Sequence, residues 1–367
     1  MAEYTFTSES VCAGHPDKIC DQVSDAIVDA VLTDDKNGRA AIETLVTVNK
    51  VIIAGEVRAK KKLDYKKIAR EQIKRLGYTD PILQFTHKSD IEVFVHEQSP
   101  EIAKGVDTLG AGDQGMMFGY ACRETKTLMP LPIMIAHALT QGIDAIREEK
   151  VLPYLRPDGK SQVTIRYKND TPVGVTSVVL AAAHAESVKL EQVKEDLYTY
   201  VVKPVLDQFG FSVPQKDIVL NGTGVWHISG PASDTGVTGR KIVVDTYGGY
   251  AKVGGGCFSG KDPTKVDRSG AYAARFIAKH IVAEKLADRA EVRLAYFIGA
   301  KKPLMQEIQT FGTRKVSEKA LRNFAEKTLD TSVAGIIKGL NLQRPIYLKT
   351  AAYGHFGRSD FPWEKVK

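Results

Sequence analysis

The sequence predicts an α+β fold of three structurally similar two-layer units. The order helix, β-hairpin, helix occurs three times, at a spacing of about 110 to 140 residues. The β-rich runs come as consecutive pairs rather than alternating with helices, which disfavours a doubly wound Rossmann sheet. At 367 residues the chain also exceeds what one core usually organises. The units are expected at 1–101, 102–224 and 225–367. No sequence identity between them is visible, so the repetition rests on element order.

The first helix, Asp17–Leu32, is opened by Gly14-His15-Pro16-Asp17-Lys18. Asp17 complements the helix dipole there; alternatively His15 donates to an anion and Asp17 holds a metal. The hairpin Ala40–Val57 follows. A two-residue turn at Asn49-Lys50 would set Glu43 directly opposite Glu56 on one face. Facing carboxylates destabilise a sheet unless a cation lies between them or water screens them. After the helix Asp64–Leu76, the stretch Ser99–Gly112 between Gln98 and Asp113 is a long polar connection of the kind used as a lid. It runs into Gly110-Ala111-Gly112-Asp113-Gln114-Gly115, a flexible turn that places one carboxylate.

The second unit reads as helix Pro130–Lys150, hairpin Gln162–Ala183 and helix Leu190–Phe209. Leu155–Ser161 is a turn entering a strand, from which Asp158 and Lys160 could reach a nucleotide. The third unit reads as helix Arg268–Leu286, hairpin Glu291–Thr310 and helix Ser317–Leu329. Asp234-Thr235-Gly236-Val237-Thr238-Gly239-Arg240-Lys241 adds a carboxylate and two fixed cations just before an expected strand at Ile242–Val244.

Gly254-Gly255-Gly256-Cys257-Phe258-Ser259-Gly260-Lys261 and the following Asp262–Arg268 carry the strongest chemical signal. Four glycines let backbone N–H groups approach a ligand, and lysines, an arginine and aspartates follow before a helix. That describes a polyphosphate site with places for a divalent cation; the alternative is a flexible loop with solvated charges. Gly255-x4-Gly260-Lys261 is a near miss to a P-loop. Asp262 stands where Ser or Thr would be needed, and Lys252-Val253 is too short for the preceding strand, so an ordinary P-loop NTPase is disfavoured.

A hydrophobic content of 43% and charged content of 26% are those of a globular protein. No apolar run approaches a membrane span, and the N-terminus lacks a signal peptide's features, so no membrane partner is expected. Cys12, Cys20, Cys122 and Cys257 have neither metal-ligand nor disulfide spacing, which suits a reducing cytosol. The net charge of +7 could mean an anionic partner. The runs Lys60-Lys61-Lys62 and Lys66-Lys67 lack interleaved aromatics, however, so nucleic acid is not expected. The anion donors are His15, Lys160, Arg240, Lys241, Lys261 and Lys265, and the metal-competent acids are Asp17, Glu43 and Asp267. No Ser–His–Asp set, assisted Cys or HExxH helix accompanies them. The inventory suits electrostatic handling of a phosphate chain.

His15-Pro16-Asp17-Lys18, Gly110–Gly115, Arg156-Pro157-Asp158, Thr238-Gly239-Arg240-Lys241, Gly254–Arg268 and Ala352-Tyr353-Gly354-His355-Phe356-Gly357-Arg358 together resemble the S-adenosylmethionine synthetase (methionine adenosyltransferase) family. The likeness is collinear from Phe6 to Lys365. It implies three α+β domains related by pseudo-threefold symmetry, in a cytoplasmic homodimer with shared active sites, usually paired into a homotetramer. The implied reaction joins ATP and L-methionine into S-adenosylmethionine and hydrolyses the released tripolyphosphate to pyrophosphate and phosphate. By resemblance His15, Lys160, Arg240, Lys241, Lys261 and Lys265 are the catalytic set. Asp113, Asp158, Gly159, Trp226, Asp234 and Cys257 join His15, Lys160, Arg240, Lys241 and Lys261 around ATP. Glu56, Gln98, Asp234 and Lys265 contact methionine. Asp17 and Asp267 bind Mg2+, with two ions per site, and Glu43 binds one K+ per subunit.

The chain departs from the family pattern in a shorter lid than many bacterial relatives have, in Val225-Trp226, and in the absence of an extra C-terminal tail. An inactive ATP-binding paralogue would be expected to lose one of His15, Asp17, Lys261, Lys265 or Asp267, and all are present. A tripolyphosphatase would have no use for Glu56 and Gln98.

Overall fold

The computed structural model describes residues 3–97 and 110–366. Three sheets, each with helices packed on it, form three α+β domains. The first unit contains β1 (Glu3–Val11), α1 (Pro16–Asp34), the hairpin β2 (Arg39–Thr47) and β3 (Lys50–Arg58), α2 (Tyr65–Arg75) and β4 (Asp90–Glu97). The second contains β5 (Gly115–Cys122), α3 (Leu131–Glu148), β6 (Leu155–Lys168), β7 (Thr171–His184), α4 (Leu190–Leu197), α5 (Lys203–Phe209) and β8 (Ile218–Leu220). The third contains β9 (Gly236–Val237), α6 (Ile242–Asp245), α7 (Val266–Ala283), β10 (Arg289–Tyr296), β11 (Met305–Gln309), α8 (Glu318–Thr328) and α9 (Val333–Gly339). Between α4 and α5 the helix widens for one turn at Tyr198–Val202, so the expected Leu190–Phe209 helix is two helices joined through that turn. Among the described residues no helix is long and apolar enough to cross a membrane.

The units trade strands in a cycle. β1, which opens the first unit, pairs antiparallel with β6 of the second. β5, which opens the second, pairs antiparallel with β10 of the third. β9, near the start of the third, pairs antiparallel with β2 of the first. Each exchanged strand lies against the first strand of a hairpin, and α1, α3 and α7 cover the corresponding sheets. Every sheet is therefore completed by a different unit, and the segments that connect exchanged strands to helices are drawn towards the shared junctions. One apolar core runs through the first and third units. A second, built on α3, β6 and β7, serves the middle unit.

Three further expectations are corrected. Leu155–Ser161, expected as a turn entering a strand, lies within β6 itself, whose register with β7 shifts between Leu155 and Gly159. The first hairpin turns at Val48-Asn49, and its register pairs Glu43 with Ala54 and Glu56 with Ala41. The two glutamates share a face but are diagonal, not opposite. Asn49 takes the left-handed conformation with φ of 49°, whereas Lys50 belongs to β3 and is held by Asp90 at 2.5 Å and Glu92 at 2.7 Å. The run Ile242–Val244 is the helical turn α6 rather than a strand. Three apolar residues do not distinguish the two by period, and the helical turn buries Val244 and Asp245 together.

Charged groups also stitch the core. The buried Arg275 binds Glu364 through two bonds of 2.8 and 3.0 Å, and Lys279 reaches the same carboxylate at 2.8 Å. Removing that carboxylate would leave two buried cations uncompensated. Glu364→Leu is therefore expected to lose about 3–5 kcal/mol of stability in urea unfolding, and Glu364→Gln less.

Candidate active site

α1 begins with an imidazole cap. His15 Nδ1 accepts the Asp17 N–H at 3.2 Å, and Pro16 supplies the first helical position without an amide to satisfy. With Nδ1 accepting, the ring proton of neutral His15 sits on Nε2, which becomes a donor. Burial, reinforced by Lys241 and Lys160, lowers the His15 pKa to about 3. The residue is a neutral hydrogen-bond donor throughout the physiological range.

A row of acids runs down the same helix face. Asp17 Oδ1 accepts Val237 N–H at 2.9 Å, Asp21 Oδ1 accepts Gly239 N–H at 2.8 Å, and Asp25 Oδ1 accepts Gly260 N–H at 2.9 Å. Asp29 accepts Tyr347 and Leu348 N–H, each at 2.9 Å. The spacing of four residues puts all four carboxylates on one face. Cations compensate the first three. Asp17 pairs with Lys241, with Arg240 at 3.9 Å. Asp21 pairs with Lys18 at 2.9 Å, and Asp25 with Arg268 at 2.6 and 2.8 Å. Asp29 has no such direct ion pair among the described residues, and burial pushes its carboxyl up to about 6 against its two N–H donors. Asp21, Asp25 and Asp29 were not among the sequence candidates. Their four-residue spacing is the signal that could have found them.

The glycine-rich loop is pinned from below. Residues 260–262 run along β2, with Ile42 N–H donating to Gly260 O at 3.0 Å and Asp262 N–H to Ala40 O at 3.1 Å. The buried Asp262 carboxylate accepts from Ala40 and Thr264 amides at 2.9 Å each, and from Lys265 Nζ at 2.5 Å. Asp262 thus anchors the loop where a P-loop would carry a hydroxyl. Gly254 admits no side chain, because a Cβ there would lie 2.1 Å from Met116 O.

Two clusters of candidate residues result. The first gathers His15, Asp17, Arg240 and Lys241, with Lys160 near enough to act on the His15 charge. Lys160 is exposed on β6, one residue beyond Gly159, whose carbonyl accepts Cys12 N–H at 2.9 Å. The second gathers Lys261, paired with Asp267, together with Asp113, Cys257 and Glu43, each near enough to interact with the Lys261 charge. Burial raises the Cys257 thiol to about 11 despite Lys261, so it stays protonated. The clusters meet where Cys257 packs against Gly239.

Other candidates lie outside these clusters. Glu56 contacts His96 at 3.3 Å on the outer face of β3. Asp234 is exposed and Trp226 half-buried on the connection between β8 and β9. Lys265 is directed to Asp262. Gln98, and residues 99–109 of the expected lid, lie outside the described residues. Asp158 is buried near Lys160, with Oδ2 accepting Gly230 N–H at 3.0 Å and Oδ1 without a hydrogen-bond partner among the described residues.

The fold and the clusters define an interlaced α+β protein whose junction is equipped to hold a strongly anionic ligand. Family models for the N-terminal, central and C-terminal domains of S-adenosylmethionine synthetase match residues 3–100, 108–226 and 228–365. The chain belongs to the S-adenosylmethionine synthetase family. Membership indicates S-adenosylmethionine synthesis, with ATP and methionine as substrates.

Burial raises the Asp158 carboxyl from 3.8 to about 7, against Gly230 N–H and Lys160. The folded chain therefore keeps a proton that the unfolded chain releases near pH 4. That contribution is full below about pH 4 and is lost as pH rises through about 7. Wild type should lose stability between about pH 5 and pH 8 relative to Asp158→Asn, by on the order of a few kcal/mol. Urea unfolding at both pH values reads the difference.

Proposed function

We propose that this chain makes S-adenosylmethionine by direct attack of the methionine sulfur on ribose C5′ of ATP. In this reading tripolyphosphate leaves and is then hydrolysed to pyrophosphate and phosphate. The observation that carries the reading is the His15–Asp17–Lys241 cluster, with Lys160 and Arg240 beside it, facing the Lys261–Asp267 cluster across Gly239 and Cys257. It supplies a neutral donor and several cations, and the reaction needs no base. A thioether sulfur has no proton to lose, so the barriers are alignment and charge growing on the leaving oxygen.

Positioning can supply roughly 7–11 kcal/mol of such a barrier. A cation about 4 Å from the leaving oxygen interacts by some 4 kcal/mol at an effective dielectric near 20, which helps to the extent that the attraction grows in the transition state. His15 donates from Nε2 to the bridging oxygen without transferring its proton, as its neutral, capped state requires. Lys160, Arg240, Lys241 and Lys261 bind the triphosphate. Asp113, Asp158, Gly159, Trp226 and Cys257 line the nucleoside side. Glu56, Gln98, Asp234 and Lys265 hold methionine, Glu56 meeting its ammonium. Glu56, on β3, lies outside the His15 cluster, where it contacts His96. A homodimer in which one copy completes the other's site, paired further into a tetramer, accounts for that separation.

The donor chemistry fits Mg2+. Among the described residues no group of three or more His, Cys, Asp or Glu side chains could hold a metal alone. Mg2+ is ordinarily held by one or two carboxylates together with substrate phosphates. Asp17 and Asp267 suit two such ions, and Glu43 a K+. Bound there, the cations would neutralise phosphate charge.

Mixing protein, ATP, methionine, Mg2+ and K+ should give S-adenosylmethionine, pyrophosphate and phosphate in equal amounts, and none of them without methionine. Phosphate without a sulfonium product would indicate a tripolyphosphatase, and nucleotide binding without turnover an inactive paralogue. His15→Ala should lower kcat by about 10²–10³-fold, as loss of one oxyanion donor does, and should lower Tm through the roughly 1 kcal/mol of stability that loss of the α1 cap costs. Steady-state kinetics and thermal unfolding check both parts.

A further inference from the structure

The motif Ala352–Arg358 has no part in the chemistry above, yet one of its side chains reaches the turn that carries His15. Tyr353 Oη donates to Asp144 Oδ2 at 2.6 Å, and the same oxygen accepts Ala13 N–H at 2.8 Å. Asp144 stands on α3 and is only 3% exposed. One carboxylate oxygen thus joins all three units, through Ala13 of the first, Asp144 of the second and Tyr353 of the third. Arg147 approaches the other oxygen at 3.4 Å. Tyr353 holds a φ of 60°, a conformation that costs an aromatic residue energy and persists only where its surroundings impose it.

The rest of the turn is fixed with equal care. Gln22 Nε2 donates to Ala13 O at 2.7 Å, Tyr78 Oη to Gly14 O at 2.6 Å, and His15 N–H to Cys12 O at 3.1 Å. Gly14 has no room for a side chain, since a Cβ there would lie 2.3 Å from Pro157 O. Backbone just before His15 is therefore located by groups from the first and second units and, through Asp144, by Tyr353 of the third. Asp144 is the acceptor for the Ala13 amide, and Tyr353 is what fixes Asp144 from the far side.

We propose that Asp144 and Tyr353 are positioning residues that set the His15 imidazole through the Ala13 amide. The proposal rests on the reading of His15 as donor to the leaving oxygen. Small misplacement of a reacting group can cost up to about 100-fold in rate. Loss of the Tyr353 hydroxyl leaves Asp144 bonded to Ala13 but free to shift, so a milder effect is expected.

The test compares wild type, Tyr353→Phe, Asp144→Asn and Asp144→Ala as full-length protein. Three quantities are read: kcat, KM for each substrate, and the His15 ring nitrogens by 15N NMR without substrate. Tyr353→Phe should lower kcat about tenfold with both KM values within about twofold, and should move the His15 signals away from the pure Nε2–H form. Asp144→Asn, which keeps an acceptor for Ala13, should retain more kcat than Asp144→Ala. Wild-type kcat and unchanged His15 signals in Tyr353→Phe and Asp144→Ala would overturn the proposal. So would a fall in Tm with unperturbed His15 signals, which a purely structural role predicts. The NMR measurement needs no turnover. A wild type that makes no S-adenosylmethionine would defeat the functional reading, while the His15 signals would still decide whether the pin exists.

Discussion

Asp17, Asp21, Asp25 and Asp29 follow one another at four-residue steps along α1, and each receives backbone N–H groups from the third unit. Like charges at that spacing repel on a bare helix, so the row can stand only because the folded chain brings donors to it. Lys241 reaches the first from the Thr238–Lys241 turn, and Arg268 reaches the third from the start of α7. Lys18, on α1 itself, serves the second and links it to Asp245 of α6 at 2.5 Å. The loops that carry Arg240, Lys241 and Lys261 are thereby ordered by the same helix that presents His15 and Asp17.

The cyclic strand exchange makes this possible. β9 lies against β2 because the third unit completes the first unit's sheet, and residues 260–262 continue along the same β2 edge. Two cation-bearing loops therefore run side by side between β2 and α1. A chemistry that depends on fixed charge rather than on a proton-transferring base is well served by this arrangement. Its donors are hydrogen-bonded before substrate arrives, so little reorganisation remains for the reacting complex.

Much of this was legible in the sequence. The helix–hairpin–helix order and the ends of α1, α3 and α7 to within about three residues follow from caps and periodicity. The hairpin register was not legible, because Asn49 can serve either position of a turn and the parallel neighbour β4 that holds Lys50 is remote in sequence. Three apolar residues at Ile242–Val244 carry no usable period to separate a strand from the helical turn α6. The four-residue spacing of the acid row is visible in sequence, but not whether the acids face water or await distant amides. The strand exchange was equally hidden, since element order does not state which hairpin an opening strand will join.

The most direct test of this account is amide hydrogen exchange at Gly239 and Gly260 in Asp21→Ala, which removes the acceptor for the Gly239 amide. If the acid row orders the loops one by one, exchange at Gly239 accelerates while Gly260, held by Asp25, keeps its wild-type protection. Unchanged exchange at Gly239, or equal acceleration at both glycines, would contradict it.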